Sequence, residues 1–447
     1  MASRHLDATT DLEEPLSSST RYAWFVAILL MIVQVVSYVD RFLPSLLLES
    51  IKHDLQLSDF QVGLLIGPAF GLFYVLVGLP LGWLADRVSR RNILAIGIAI
   101  WSLMTAAGCR AGSFWMLFAA RLGVGLGEAA VAPCAVSLIS DYFPRRTRAK
   151  ALSLFMAGTF LGAGTAFLLG GPLVHAITGV GPVAVPGLGL LAPWQFVFLV
   201  LGLPGLFMAL AVLMIREPAR RERLTPDRSL GSAVRYVKTR WRAFGTLFVA
   251  SACCVTLGSL SLWNVSLFAR TWGWDVRSVG IATGLLFLTG GPIGTALGIR
   301  LTARGIAAKR ADATLRTVWI GLLIGVPGFA LYPVMPTPEL ALAAMFFAFT
   351  GQAAVAAGGP AALSFIAPGE FRSQLTAIYY LVISLSGQLL GPPPVGWLTD
   401  ALGGPAMLRI AMTIEAVGIG VPACILVWFG MARFGRQVAA LESALDR

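Results

Sequence analysis

Twelve long apolar runs constrain this chain more than any other feature. They fall at 22–47, 60–84, 92–110, 113–140, 150–176, 193–215, 243–269, 278–303, 312–333, 339–364, 372–399 and 405–432. A helix needs about 20 apolar residues to cross a hydrocarbon core about 30 Å thick. The apolarity is continuous and lacks the alternation of barrel strands, so each run reads as a helix. The expected fold class is therefore an all-α membrane protein with 12 transmembrane helices. Composition agrees: 57% of the residues are hydrophobic and 13% charged, against about 25% charged in an ordinary globular domain. A water-soluble fold could not hide so much apolar surface. The glycines and prolines inside the runs suit close helix packing and local bending in lipid.

Charge gives the orientation. The net charge of +12 could suggest a nucleic-acid partner, but the basic residues lie in loops on alternate sides of the runs, which excludes that class. With the N-terminus inside, only Arg41, Lys52, Arg110, Arg121, Arg270, Arg277 and Arg409 fall elsewhere, leaving 27 of the 34 on the cytoplasmic side. Both termini are expected to be cytoplasmic. The first twenty residues are polar, with Asp11, Glu13 and Glu14, and do not read as a signal peptide.

The expected organisation is a cytoplasmic tail at 1–21, a six-helix bundle at 22–215, a basic linker at 216–242, a second six-helix bundle at 243–432 and a tail at 433–447. An internal repeat supports two pseudo-symmetric halves. FPRRTRAKAL, Phe143 to Leu152, resembles APGEFRSQLT, Ala367 to Thr376.

The charges inside the runs are few. Asp40 and Arg41 adjoin on the first helix, and Arg121 and Glu128 lie seven residues apart on the fourth, on one face and about 10 Å apart along the axis. If the first helix ends near Leu48, Asp40 and Arg121 both lie about 12 Å from the outer face. They should meet there, with Glu128 about two turns deeper. Ionisable residues at such depth mark a pathway or a proton relay. A buried carboxyl can carry a proton near neutral pH, and an arginine can exchange one acidic partner for another or for an anionic substrate. Glu128 is thus expected to be the protonation switch, Asp40 a second acid and Arg121 the partner both compete for. Arg41 either joins them or snorkels to the outer interface. In the second half, Asn264, Gln352, Gln388, Tyr379 and Tyr380 are candidate substrate contacts. Arg409 reads as an anchor, and Glu415 has no assigned role. The cavity should have one polar and one apolar wall.

Enzyme chemistry has no foothold here. Cys109, Cys134, Cys253, Cys254 and Cys424 lie in apolar runs, and His5, His53 and His175 are scattered, so neither a metal site nor a disulfide framework is expected. No cofactor is expected beyond a proton gradient.

The loop GWLADRVSRR, Gly82 to Arg91, carries every specified position of the G-x-x-x-D-R-x-x-R-R pattern joining the second and third helices of major facilitator superfamily transporters. Its counterpart in the second half, IRLTAR at Ile299 to Arg304, has Ala303 in place of Asp86, so a latch is expected at only one of these two places. SYVDRF, Ser37 to Phe42, and RLGVGLGEA, Arg121 to Ala129, resemble the spinster group within that superfamily. The resemblance implies two bundles around a midplane cavity and alternating access by rocking. It also implies that Asp40, Arg121 and Glu128 serve coupling and headgroup binding. Asp86 would cap the eleventh helix near Phe371 to Leu375, and Arg87 or Arg90 would pair with Asp141. Gly82, Asp86, Arg87, Arg90, Arg91 and Asp141 would together form a cytoplasmic latch. The plain alternative for Arg90 and Arg91 is loop anchoring. GTFLGAGTAFLLGGP, Gly158 to Pro172, places its proline late for the antiporter pattern and leaves antiport open.

Spinster-group proteins are associated with export of lysolipids and sphingosine phosphates, and their bacterial relatives are regarded as proton-driven. The expected function is therefore proton-coupled transport of an amphipathic anionic lipid. The alternatives are a transporter of a small soluble organic anion or drug, and a non-transporting membrane sensor. The expected setting is the inner membrane of a bacterium, as a monomer, with the bilayer, protons and the substrate as partners. Thirty arginines against four lysines suit a GC-rich genome, and the only sequon, at Asn264, lies within a helix.

Overall fold

A computed structural model describes residues 20–85, 87–219, 230–368 and 371–445. Asp86, most of the N-terminal tail and residues 220–229 of the linker lie outside the described residues. Among the described residues, twelve helical segments are long and apolar enough to span a membrane. They are α1 (Thr20–Asp54), α2 (Asp59–Gly78), α3 (Arg90–Arg110), α4 (Phe114–Tyr142), α5 (Arg146–Thr178) and α6 (Pro193–Leu213) in the first half. The second half holds α7 (Trp241–Trp272), α8 (Val276–Ala307), α9 (Ala313–Val334), α10 (Pro338–Ile366), α11 (Gln374–Ala401) and α12 (Pro405–Leu441). Helix is the form that lets a lipid-embedded backbone satisfy its own polar groups.

Several helices are broken where the sequence offers a breaker or a short tight turn. α2 breaks at Gly67, before Pro68, and α11 breaks at Gly391, before Pro392. The two breaks face each other: the Gly67 backbone lies against Gln388 and Pro392. α4 is interrupted between Glu128 and Val131, and α7 tightens into a 3-10 turn at Leu260–Trp263. Between α5 and α6 a small hairpin pairs Val183 with Leu191 and Val185 with Gly189. Part of the expected linker is itself helical, over Leu230–Thr239.

Two expected boundaries are corrected: α12 continues to Leu441, through most of the expected tail at 433–447, and α1 also overruns its expected end. α1 continues to Asp54 instead of ending near Leu48. Its last turn is held by Asp54, which accepts a hydrogen bond from the Trp194 indole at the start of α6 (2.7 Å).

The halves meet along two seams, α2 with α11 and α5 with α8, and α1 adds contacts to the final turns of α7. On the α5–α8 seam the backbones nearly touch. Side chains at Gly171 and Gly280 would run into each other's main chain, and one at Gly284 into the backbone of Gly164 and Leu168. At the face bearing Arg87, Arg90 and Arg91, the last part of α4 packs on α1, α3 and α5, all within its own half. The α2–α11 seam is tight at the opposite face, where Gly63 abuts Pro392 and Pro393.

Candidate transport site

Ser37, Asp40 and Arg41 are spaced three and four residues apart, so they share one face of α1. That face meets α3 and α4. The Glu128 side chain is fully buried; it accepts hydrogen bonds from the Ser37 hydroxyl at 2.7 Å and from Arg41 Nη2 at 3.0 Å. Its other oxygen, Oε1, has no hydrogen-bond partner. The Arg41 guanidinium lies over the rings of Tyr38 and Phe70 at 4.6 Å and Tyr74 at 4.7 Å. Three aromatic faces offset part of the cost of removing a cation from water.

Asp40 is 5% exposed and is held by the Thr105 hydroxyl of α3, which lies 2.8 and 2.7 Å from its two oxygens. Arg121 reaches it only at 4.0 Å, from Nη1 to Oδ2. That contact is Coulombic and leaves Nη1 and Nε of Arg121 without hydrogen bonds. The set is thus two buried acids and two arginines from α1 and α4. Arg41, partly buried, is hydrogen-bonded to Glu128 with its Nε unpaired; Arg121, buried, makes no contact with Asp40 closer than 4.0 Å and leaves two nitrogens unpaired.

Asp40 and Arg121 meet as expected, although α1 runs on to Asp54, past the end near Leu48 from which the depth of Asp40 is reckoned. The expected pairing of Glu128 with Arg121 is corrected: Arg41 turns inward and takes Glu128. The cause is local. Arg41 lies one turn after Ser37 on the face that meets Glu128, and its aromatic cage makes the interior tolerable for the cation, so it does not snorkel.

The second-half candidates do not form one cluster. Asn264 is fully buried, and its Oδ1 accepts from the Tyr332 hydroxyl at 3.1 Å. Tyr379 packs edge-on against Phe248 and Tyr380, and Tyr380 is about half exposed. Gln352 fills the space beside Gly258, and Gln388 lies across the seam against Gly67 and Gly71 of α2. Arg409 donates to the Met335 carbonyl at 3.3 Å. Glu415 is buried with neither oxygen hydrogen-bonded.

At the basic loop, Gly82 lies against Pro133 of α4. Arg87 stacks on Trp83, its guanidinium 3.6 Å from the ring centroid. Arg90 pairs with Asp141, as expected for one of these arginines, and is 1% exposed. It also reaches Glu217 at 2.8 Å, Ser137 Oγ at 3.0 Å and the Pro218 carbonyl at 3.0 Å. Arg91 gives its backbone N–H to Glu217 at 3.0 Å and its Nη1 to the Ile215 carbonyl. The simple anchoring alternative for Arg90 is thereby replaced by a buried ion cluster. Burial alone would raise the Glu217 carboxyl, but the Arg91 N–H, the Arg90 side chain and the Ser89 hydroxyl together hold it below its ordinary value. The expected cap made by Asp86 lies outside the described residues.

Sequence reasoning missed Ser37, Thr105 and the cage of Tyr38, Phe70 and Tyr74. Serine, threonine and aromatics are common in membrane helices, so only the i, i+3, i+4 alignment of Ser37 with Asp40 and Arg41 could have flagged one of them.

Twelve spanning helices in two halves, joined by glycine-lined seams around buried ions, define a secondary membrane transporter that works by alternating access. The model of the Major Facilitator Superfamily matches residues 30–387, and the chain belongs to that family. It is 28% identical over 449 residues to an MFS-type efflux pump of Mycolicibacterium smegmatis, covering 96% of this chain and 98% of that protein. It is 30% identical over 205 residues to the protein spinster of Drosophila melanogaster, covering 46% of this chain and 31% of that one. Among solved structures it resembles a bacterial homolog of the human lysosomal transporter spinster, crystallised in an inward-facing, unoccupied conformation. The TM-score is 0.77 at 24% identity, over 94% of this chain and 98% of that one.

Proposed function

We propose that this protein is a proton-coupled transporter of an amphipathic anion, of the lysophospholipid or sphingosine-phosphate class, in a bacterial inner membrane. The observation that carries the reading is the unequal pairing of the two arginines. Arg41 is hydrogen-bonded to Glu128 and leaves only Nε among its buried nitrogens unpaired, whereas Arg121 has no hydrogen bond to Asp40 and keeps both Nη1 and Nε free. A proton on Glu128 removes the negative charge that holds Arg41. A phosphate or carboxylate headgroup takes the free donors of Arg121, for which a planar guanidinium is well suited. The apolar wall of the second half accepts the tail, and the likeness to spinster proteins supports a lipid.

The test is uptake of labelled lysophospholipid into proteoliposomes under an imposed proton gradient. Glu128→Gln should abolish gradient-driven accumulation while the protein stays folded; unchanged accumulation would sink the assignment. The whole-length likeness to an efflux pump favours a second reading, export of a soluble drug-like compound. The same vesicles would then move soluble solutes and leave the lipid in place.

A further inference from the structure

The face opposite the basic loop is closed by a set of charges that neither the buried site nor the basic loop includes. Arg270, on the last turns of α7, reaches across to the first half. It lies 2.8 Å from Asp59 at the start of α2 and 2.9 Å from Glu49 on α1. Asp59 is fully buried and also takes Lys52 at 2.6 Å. A second bond runs the other way across the seam. Asp400, near the end of α11, accepts the backbone N–H of Asp59 at 3.1 Å and that of Phe60 at 2.9 Å, one on each carboxylate oxygen.

This second contact completes a helix terminus. The first turn of α2 has N–H groups without partners inside the helix. Ser58 caps the N–H of Gln61 in a capping box and leaves those of Asp59 and Phe60 open. Asp400 supplies the missing acceptors from the other half. For its own helix Asp400 is badly placed, because an acid near a C-terminus opposes the helix dipole; at the N-terminus of α2 the same charge is favourable. The contact therefore stabilises this face only while the halves are together. Separation would leave two open N–H groups on α2 and an acid at the wrong end of α11.

The sequence marks the position. Gly396 to Asp400 reads GWLTD, and Gly82 to Asp86 reads GWLAD. This copy is closer than the one at Ile299 to Arg304, and it keeps the acid. α2 and α11 run in opposite directions through the membrane, so the two copies stand at opposite faces.

We propose that Asp400, together with Arg270, is a conformational latch that holds this face closed and must release for the face to open. The latch is independent of the substrate and of the proton-coupling assignment. It is tested by distances between spin labels at His53→Cys and Leu402→Cys, both exposed and on opposite sides of the seam. The two half-buried cysteines, Cys253 and Cys424, are replaced by alanine, and the full chain is held in lipid nanodiscs without substrate. Asp400→Ala should raise the ratio of long to short distances at least about tenfold, since it removes two hydrogen bonds to a charged group and the loss of one alone is worth about that factor. Asp400→Asn, which keeps one acceptor oxygen, should give a smaller rise, and Arg270→Gln should raise the ratio independently. If Asp400→Ala does not fold, the other two variants carry the test. Ratios equal to that of the unaltered protein in the folded variants overturn the proposal.

Discussion

Replacing Arg90 by alanine tests whether the basic loop is held by a buried ion cluster or only rests at the membrane surface. Arg90 is 1% exposed and serves Asp141, itself about nine-tenths buried, and Glu217, whose side chain is 27% exposed. Removing one partner of a buried ion pair costs about 3–5 kcal/mol, because the other charge remains without compensation. The Glu217 contact is nearer water and adds little, so the expected loss is about 3 kcal/mol. For a cooperative unit of the size of one half, each kcal/mol moves the melting temperature by about 2–4 °C. Arg90→Ala should therefore melt about 6–12 °C below the unaltered protein when followed by tryptophan fluorescence in detergent at pH 7. Arg90→Lys keeps the charge but loses the planar fork that serves several acceptors, and should fall between the two.

Acid should narrow the gap. Glu217 is held below its ordinary value in the folded chain, so its contribution is complete above the unfolded value of about 4.3. That contribution is lost as pH falls through the lowered folded value. From pH 5 to 8 the difference between the two proteins should stay constant. A melting temperature for Arg90→Ala within about 2 °C of the unaltered protein would refute the reasoning, since a surface ion pair is worth about 0–1 kcal/mol.

Two further substitutions follow from the buried groups. Thr105→Val is close in shape but removes the hydroxyl that serves both oxygens of Asp40. It should slow proton-driven uptake several-fold in proteoliposomes, Thr105→Ser should restore the rate, and equal rates in Val and Ser variants would remove Thr105 from the site. Glu415→Met should raise the melting temperature, because it replaces a buried carboxyl whose oxygens have no hydrogen-bond partner, a burden of about 1–3 kcal/mol; a lowered value would mean that the carboxyl contributes to stability.

The fold was legible because a bilayer demands length and continuous apolarity, and residues such as 193–215 and 405–432 display both without any tertiary information. The meeting of Asp40 with Arg121 was legible because an acid and a base inside neighbouring spans have few other partners; the depth reckoned from Leu48 was not the reason, since α1 runs on to Asp54. The choice of partner was not. Whether Arg41 turns to Glu128 or to the interface depends on Tyr38, Phe70 and Tyr74, and two of those come from α2, whose rotation no local pattern reveals. The overrun of α1 to Asp54 was hidden for the same reason, since Trp194 of α6 supports it. Asp400 was hidden differently: its five-residue word was present, but pairing the loops by pseudo-symmetry alone led to Ile299–Arg304.

The α5–α8 seam bears on how quickly the halves can rearrange. Where Gly171 meets Gly280 and Gly284 meets Gly164, main chain lies on main chain, although the Leu288 side chain seats beside Gly164 and Phe160 beside Gly291. Contacts of this kind are worth only about 0.1–0.2 kcal/mol per atom pair, and a small roll exchanges one set for a similar one. These glycine contacts act as a plain bearing, carrying load without choosing a position. The resting angle of the machine is then set at its rims, where a few charged groups either meet or part.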